Sequence, residues 1–158
     1  MGVLPLPKPR FLRSALVRSG RNPRECGVTV STQDMKAAYR QVPVHPEDAR
    51  FSVVAVYCPA HQAWRYGLLD GLAFGLTSAV LHFNRLPVFV EALPRRRLAL
   101  PVTNFFDDFK VTEPAECQGS ADASFLALTR ALGVVIHPEK RQLPGRTCTF
   151  LGASEDFS

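Results

Sequence analysis

Residues 104–109, "NFFDDF", set two adjacent carboxylates inside an aromatic run. Like charges repel, and placing them beside phenylalanines raises the cost unless a cation or a proton neutralises them. The chain on either side reads as strand, "LALPVTNFF" before and "FKVT" after. A hairpin therefore accommodates the pair, with Asp107 and Asp108 at or near its tip. Taken alone, such a pair is equally the content of a solvated turn, where Asp is common.

The remaining segments supply the company that the pair keeps. "GVTVSTQDM" alternates Val28 and Val30 and then reaches Asp34, a strand that ends in a carboxylate. "KAAYRQVPV" predicts a short helical turn closed by Pro43, and "RFSVVAVY" pairs with "AWRYGLL" as a hairpin across "CPAHQ". From Thr77 to about Arg97, Val80, Leu81, Phe83, Phe89, Val90 and Leu93 recur near helical spacing. Thr77 or Ser78 would cap that helix, and Pro87 would kink or split it. "ADASFLALTRALG" predicts a helix with Phe125, Leu128 and Leu132 on one face and Gly133 as its stop, and "TCTFLGA" a final short strand.

This order predicts an α+β domain of two layers, helices covering one face of a mainly antiparallel sheet. In so small a sheet the first strand and the hairpin can be neighbours, which gathers Asp34, Asp107 and Asp108 at one edge. Three carboxylates suit Mg²⁺, a hard cation that takes oxygen ligands and keeps waters or substrate phosphates. Two such ions about 3.5–4 Å apart support phosphoryl transfer.

Charge placement adds a polyanionic partner to the candidates. Lys8, Arg10, Arg13, Arg18, Arg21 and Arg24 against Glu25 put the whole net charge of +5 into residues 1–30, and the other 128 residues are neutral. Such a leader either meets phosphates or is simply solvated. Its Arg-rich, acid-poor composition also fits an organelle transit peptide, although Pro5, Pro7 and Pro9 argue against an amphipathic helix at the start. At 158 residues, 46% hydrophobic and 21% charged, the composition is that of a globular domain, and no apolar run approaches the ~18 residues of a membrane span. Cys26, Cys58, Cys117 and Cys148 are scattered singly and the four His show no H-x-x-x-H spacing. Structural zinc and a disulfide scaffold are thus not expected, and a reducing intracellular compartment, nuclear or cytoplasmic, is the simpler assignment.

Five segments in order, "QDMKAAYRQVPVHPEDARFSVV", "LAFGLTSAVLHFNRL", "NFFDDF", "LGVVIHPEK" and "FLG", resemble the successive palm motifs of reverse transcriptases, most closely those encoded by retrotransposons. The resemblance runs from about Thr32 to Gly152 and implies a palm domain over residues 31–158, with a ferredoxin- or RRM-like antiparallel sheet. It implies RNA-directed DNA polymerase activity: attack of a primer 3′-hydroxyl on the α-phosphate of a deoxynucleoside triphosphate, on an RNA template with a DNA primer. Asp34, Asp107 and Asp108 would carry two Mg²⁺ or Mn²⁺ ions, with the backbone carbonyl of Met35 completing one shell. Tyr39 would pack under the incoming sugar, Phe74 and Gly75 would support nucleotide and template, and Lys140 would protonate the leaving pyrophosphate. Phe150, Leu151 and Gly152 would grip the primer end.

The pattern departs from the family in three places. Ala73 stands where proline is frequent, and Phe105 where tyrosine is. About 33 residues precede Asp34 without a match to the fingers motifs and six follow Gly152, so the fingers are expected to be truncated and the thumb absent. A catalytically silent nucleic-acid-binding palm remnant is the alternative function, and a metal-dependent nuclease using the same three acids is a third.

Overall fold

The computed structural model describes residues 26–157; the first 25 residues of the basic leader lie outside the described residues. Two compact units emerge. The first takes the described residues up to Lys36 together with those from Pro87 onward, and the second is Ala37–Leu86.

The first unit is built on a four-stranded sheet of order β4-β5-β1-β6, with β1 at Val28–Asp34, β4 at Val102–Phe105, β5 at Asp108–Pro114 and β6 at Gln142–Gly145. Every neighbouring pair is antiparallel. This is the α+β architecture that the strand and helix order predicts. β1 is central and almost wholly buried, and its register against β5 sets Val28 opposite Pro114 at one end and Asp34 opposite Asp108 at the other.

Because successive side chains alternate, each sheet face has its own chemistry. Ser31 and Gln33 share a face with their partners Val111 and Phe109. The helix α3 (Ser120–Ala131) lies on that face, with the Phe109 and Phe125 ring centroids 5.2 Å apart. Glu113, on the same face, accepts from the Ala121 amide at 2.9 Å, which satisfies one orphan donor of the first helical turn and places a negative charge at the positive end of the helix. Asp122 is buried there and accepts from the Ser31 hydroxyl at 2.6 Å, from Gln33 and from Arg141.

Val28, Val30, Thr32 and Asp34 point to the opposite face. Val28 and Val30 pack there with Cys26, Cys148 and Phe157. Cys148 belongs to a terminal hairpin of β7 (Thr147–Phe150) and β8 (Ala153–Asp156). Glu155 of that hairpin forms a double contact at 2.9 Å with Lys110, which tethers the hairpin to β5.

The second unit holds a 3-10 turn (Ala38–Gln41), a second one (Pro46–Phe51), the hairpin β2 (Val53–Cys58) and β3 (Ala63–Leu68), and helix α1 (Thr77–Phe83). Gly71 bridges Pro43, and a Cβ at Gly71 would sit 2.6 Å from the Arg40 carbonyl oxygen, so only glycine fits this crossing.

The structure amends several details. The long helix is split, α1 ending at Phe83 and α2 running Arg85–Arg97, as expected of Pro87, whose ring clashes with the carbonyl four residues back. Neither Thr77 nor Ser78 caps α1; its N-cap is Leu76, with no side-chain hydrogen bond. On α3 the buried face is Ala121, Asp122, Phe125 and Thr129, whereas Leu132 is exposed beyond the helix end. The short strands β6 and β8 are additional, and β6, an edge strand carrying Pro144, has the length and composition that conceal a strand in sequence.

The buried cluster around Asp122 gives a direct test. Asp122→Ala leaves the Arg141 guanidinium and the Ser31 and Gln33 side chains without their acceptor and should lower the unfolding free energy in urea by about 3 kcal/mol. Arg95→Ala, which breaks only the exposed Glu91–Arg95 pair on α2, should change it by less than about 0.5 kcal/mol.

Candidate active site

Alternation along β1 and β5 places Asp34 and Asp108 on the face away from α3, directly opposite each other. Phe105 pairs with Asp108, so the hairpin closes through a two-residue loop, Phe106–Asp107, which sets Asp107 beside them. Backbone hydrogen bonds pin this corner from both sides. The Met35 amide donates to the Asp107 carbonyl at 3.0 Å, and the His137 amide to the Asp34 carbonyl at 2.7 Å. Met35 also bridges Ile136, which brings the segment leading to Lys140 alongside.

The electrostatics follow from that crowding. Burial first, then the charges of Asp107 and Asp34, push the Asp108 carboxyl above its ordinary pKa, while Lys140 pulls the other way. Lys140 Nζ lies 2.8 Å from Asp34 Oδ2, and Asp34 is almost buried whereas the lysine side chain is 63% exposed. The Asp34 contact, with Asp107 and Asp108 behind it, raises the pKa of the ammonium.

These four side chains line a cleft of about 330 Å³ with Thr32, Gln33, Gln142, Thr149, Phe150 and Leu151. Gln142 accepts from the Thr149 amide at 2.8 Å and donates to its carbonyl at 2.6 Å, which fastens the terminal hairpin to the cleft wall. That hairpin turns through Leu151 and Gly152, both at positive φ (52° and 78°), the geometry of a type I′ turn. Phe150 lies beneath the Lys110 ammonium, 4.8 Å from ring centroid to Nζ.

Asp34, Asp107, Asp108, Lys140, Phe150 and Leu151 are thus brought together in one cleft of the first unit, with Met35 and Gly152 adjacent in sequence. Tyr39, Phe74 and Gly75 belong to the second unit and form a cluster of their own. Tyr39 stacks on the buried Phe83 ring at 4.4 Å and tilts against Phe74 at 4.6 Å; Phe74 is 84% exposed and Gly75 adopts φ 93°. The acidic oxygen donors that line the cleft are those of Asp34, Asp107 and Asp108. Among the described residues, no three His, Cys, Asp or Glu side chains are gathered closely enough to hold a metal ion as they stand.

A structure of the foamy viral protease-reverse transcriptase in complex with an RNA/DNA hybrid superposes on 80% of this chain with a TM-score of 0.61 at 17% sequence identity. The fold is reverse-transcriptase-like. This chain spans 16% of that viral chain's length. No protein-family profile matches the sequence, and no curated protein does. No helix among the described residues is long and apolar enough to cross a membrane.

Within this reverse-transcriptase-like fold, two features carry no sequence signal: the Gln142–Thr149 pair in the cleft wall, whose members lie seven positions apart, and the Asp122 cluster behind β1, where Asp122 meets Ser31 from ninety-one positions away. The Phe106–Asp107 loop carries a signal that is easy to pass over: Phe106 adopts φ 51°, a conformation costly for a bulky residue at a position where hairpins favour glycine. Phe106→Gly should therefore raise stability by about 0.5–1 kcal/mol, after loss of its edge contact with Phe105, as read from the urea midpoint.

Proposed function

We propose that this chain is the palm of an RNA-directed DNA polymerase of retroelement type, and that its cleft serves two-metal nucleotidyl transfer. One observation carries the proposal: the register of β1 against β5 sets Asp34 opposite Asp108 at the end where the hairpin loop presents Asp107, with a lysine ammonium and a tight hairpin turn in the same cleft. The fold-level likeness to a viral reverse transcriptase supports it, as do the five ordered motifs.

The donor set fits a hard divalent cation. It is all oxygen and strongly acidic, and a single contact with Lys140 meets it at Asp34. Asp34, Asp107 and the Met35 carbonyl would hold Mg²⁺ or Mn²⁺, with Asp108 less directly engaged. Bound there, the ions would lower the pKa of a primer hydroxyl and stabilise the leaving oxygen. The protein's own part is placement. Asp34 and Asp108 are fixed by the sheet, and Asp107 by the Met35 amide on its carbonyl. The Phe150–Gly152 turn would hold the primer end, and the Phe74–Gly75 loop would support nucleotide and template. Tyr39, stacked on Phe83 within the second unit, would pack under the incoming sugar. Lys140 would supply positive charge and a proton to the leaving pyrophosphate. Template choice would come from base pairing, so the protein need sense only backbone shape and charge.

A catalytically silent, nucleic-acid-binding palm is the second possibility, favoured by the absence of three converged acidic side chains among the described residues. Extension of a DNA primer on an RNA template with Mg²⁺ or Mn²⁺, wild type against Asp107→Asn, separates the two. The expected result is extension by the wild type and loss of about 10²-fold or more in the variant, with stability equal or higher because one like charge is gone. Hybrid binding by both without extension by either would favour the silent domain.

A further inference from the structure

The cleft gathers three carboxylates, and a single ammonium, that of Lys140, stands in it against Asp34. Its placement is specific. The His137 amide on the Asp34 carbonyl anchors the start of the turn, and Lys140 leaves the end of that turn with a mostly exposed side chain, so the ammonium can swing into water without disturbing buried structure. Oδ2 of Asp34, which it meets at 2.8 Å, is itself buried, and Lys140 is the partner the structure gives it. Asp34 thus holds an exchangeable cation on an otherwise enclosed oxygen.

We propose that Lys140 is a displaceable stand-in for the divalent cation: without metal it neutralises Asp34, and metal entry at Asp34 expels the ammonium into the open side of the cleft. This rests on the palm assignment above and adds a regulation of the same site. Mg²⁺ binds carboxylate oxygen at about 2.0–2.1 Å, so ion and ammonium at one oxygen would face each other at contact distance as like charges. Binding of one weakens the other, and linkage requires the factor to be equal in both directions. Metal occupancy would then release Lys140 toward the phosphates, where its proton is wanted, only when the site is loaded.

Mn²⁺ titration of the full chain at constant ionic strength, with free Mn²⁺ read by electron paramagnetic resonance, tests this without any need for turnover. Lys140→Met keeps the stem and removes the charge, and should tighten Mn²⁺ binding by about threefold or more. Arg130→Gln makes the same change in net charge on α3, which covers the opposite face of the sheet, and should leave binding nearly unaltered. Equal or weaker binding by Lys140→Met, or an equal gain in Arg130→Gln, overturns the displacement while leaving a metal site in place. Absence of Mn²⁺ binding in both wild type and Lys140→Met overturns the displacement together with the metal assignment on which it rests.

Discussion

Asp34 facing Asp108 across adjacent antiparallel strands is the constraint around which the first unit is organised. Directly opposed like charges destabilise a strand pair, and burial adds to the penalty. The surrounding structure answers in two ways. It opens a cleft at the acidic end of the sheet face, and it brings Lys140 against Asp34 from a turn held by the Asp34 backbone itself. A pair of this kind is a poor stability device, and under the proposed function a divalent cation would neutralise it.

Strand β1 serves both faces, and its alternation is what links stability to the site. Ser31 and Gln33 point toward α3 and bind Asp122, while Thr32 and Asp34 point into the cleft. The Asp122 cluster therefore fixes the strand's height and twist from behind. Arg141, the residue after Lys140, joins the same cluster, so the two neighbours divide the work: one guanidinium anchors the segment on Asp122 and one ammonium stays free to exchange. A site mounted in this way on paired strands is held more closely than one carried by loops alone.

Much of this was legible from local pattern. Alternation of Val28 and Val30 marked β1, the strands around "NFFDDF" marked the hairpin, and Pro87 marked the break between α1 and α2. The gathering of Asp34 with Asp107 and Asp108 also followed, because few arrangements of so small a sheet separate those strands. What could not be read is what depends on long-range partners. Asp122 looks like a helix N-terminal acid until Ser31, ninety-one positions away, is seen to bind it. Thr129 replaces Leu132 on the buried face of α3 because the helix ends at Ala131 and the chain turns through Gly133. β6 and β8, four residues each, carry too little alternation to be distinguished from loop.

Two tight hairpin loops flank the cleft, and both are strained in the same sense. Phe106 and Leu151 are bulky residues in the left-handed region, one beside Asp107 and the other beside the lysine-covered Phe150 ring. A longer loop would relax either residue, but it would also let the groups beside it wander. Two-residue loops close the strand ends with no slack, so the position of Asp107 relative to Asp34 is set by the ladder and not by loop dynamics. Non-glycine residues at positive φ also occur at Ala37, Gln62, Ala99 and Gln118; what distinguishes Phe106 and Leu151 is that each sits in a two-residue hairpin loop bordering the cleft. The asymmetry between the turns fits their proposed roles: Leu151 has Gly152 to complete a regular type I′ turn, whereas Phe106 is followed by an aspartate whose own placement is the purpose of the bend.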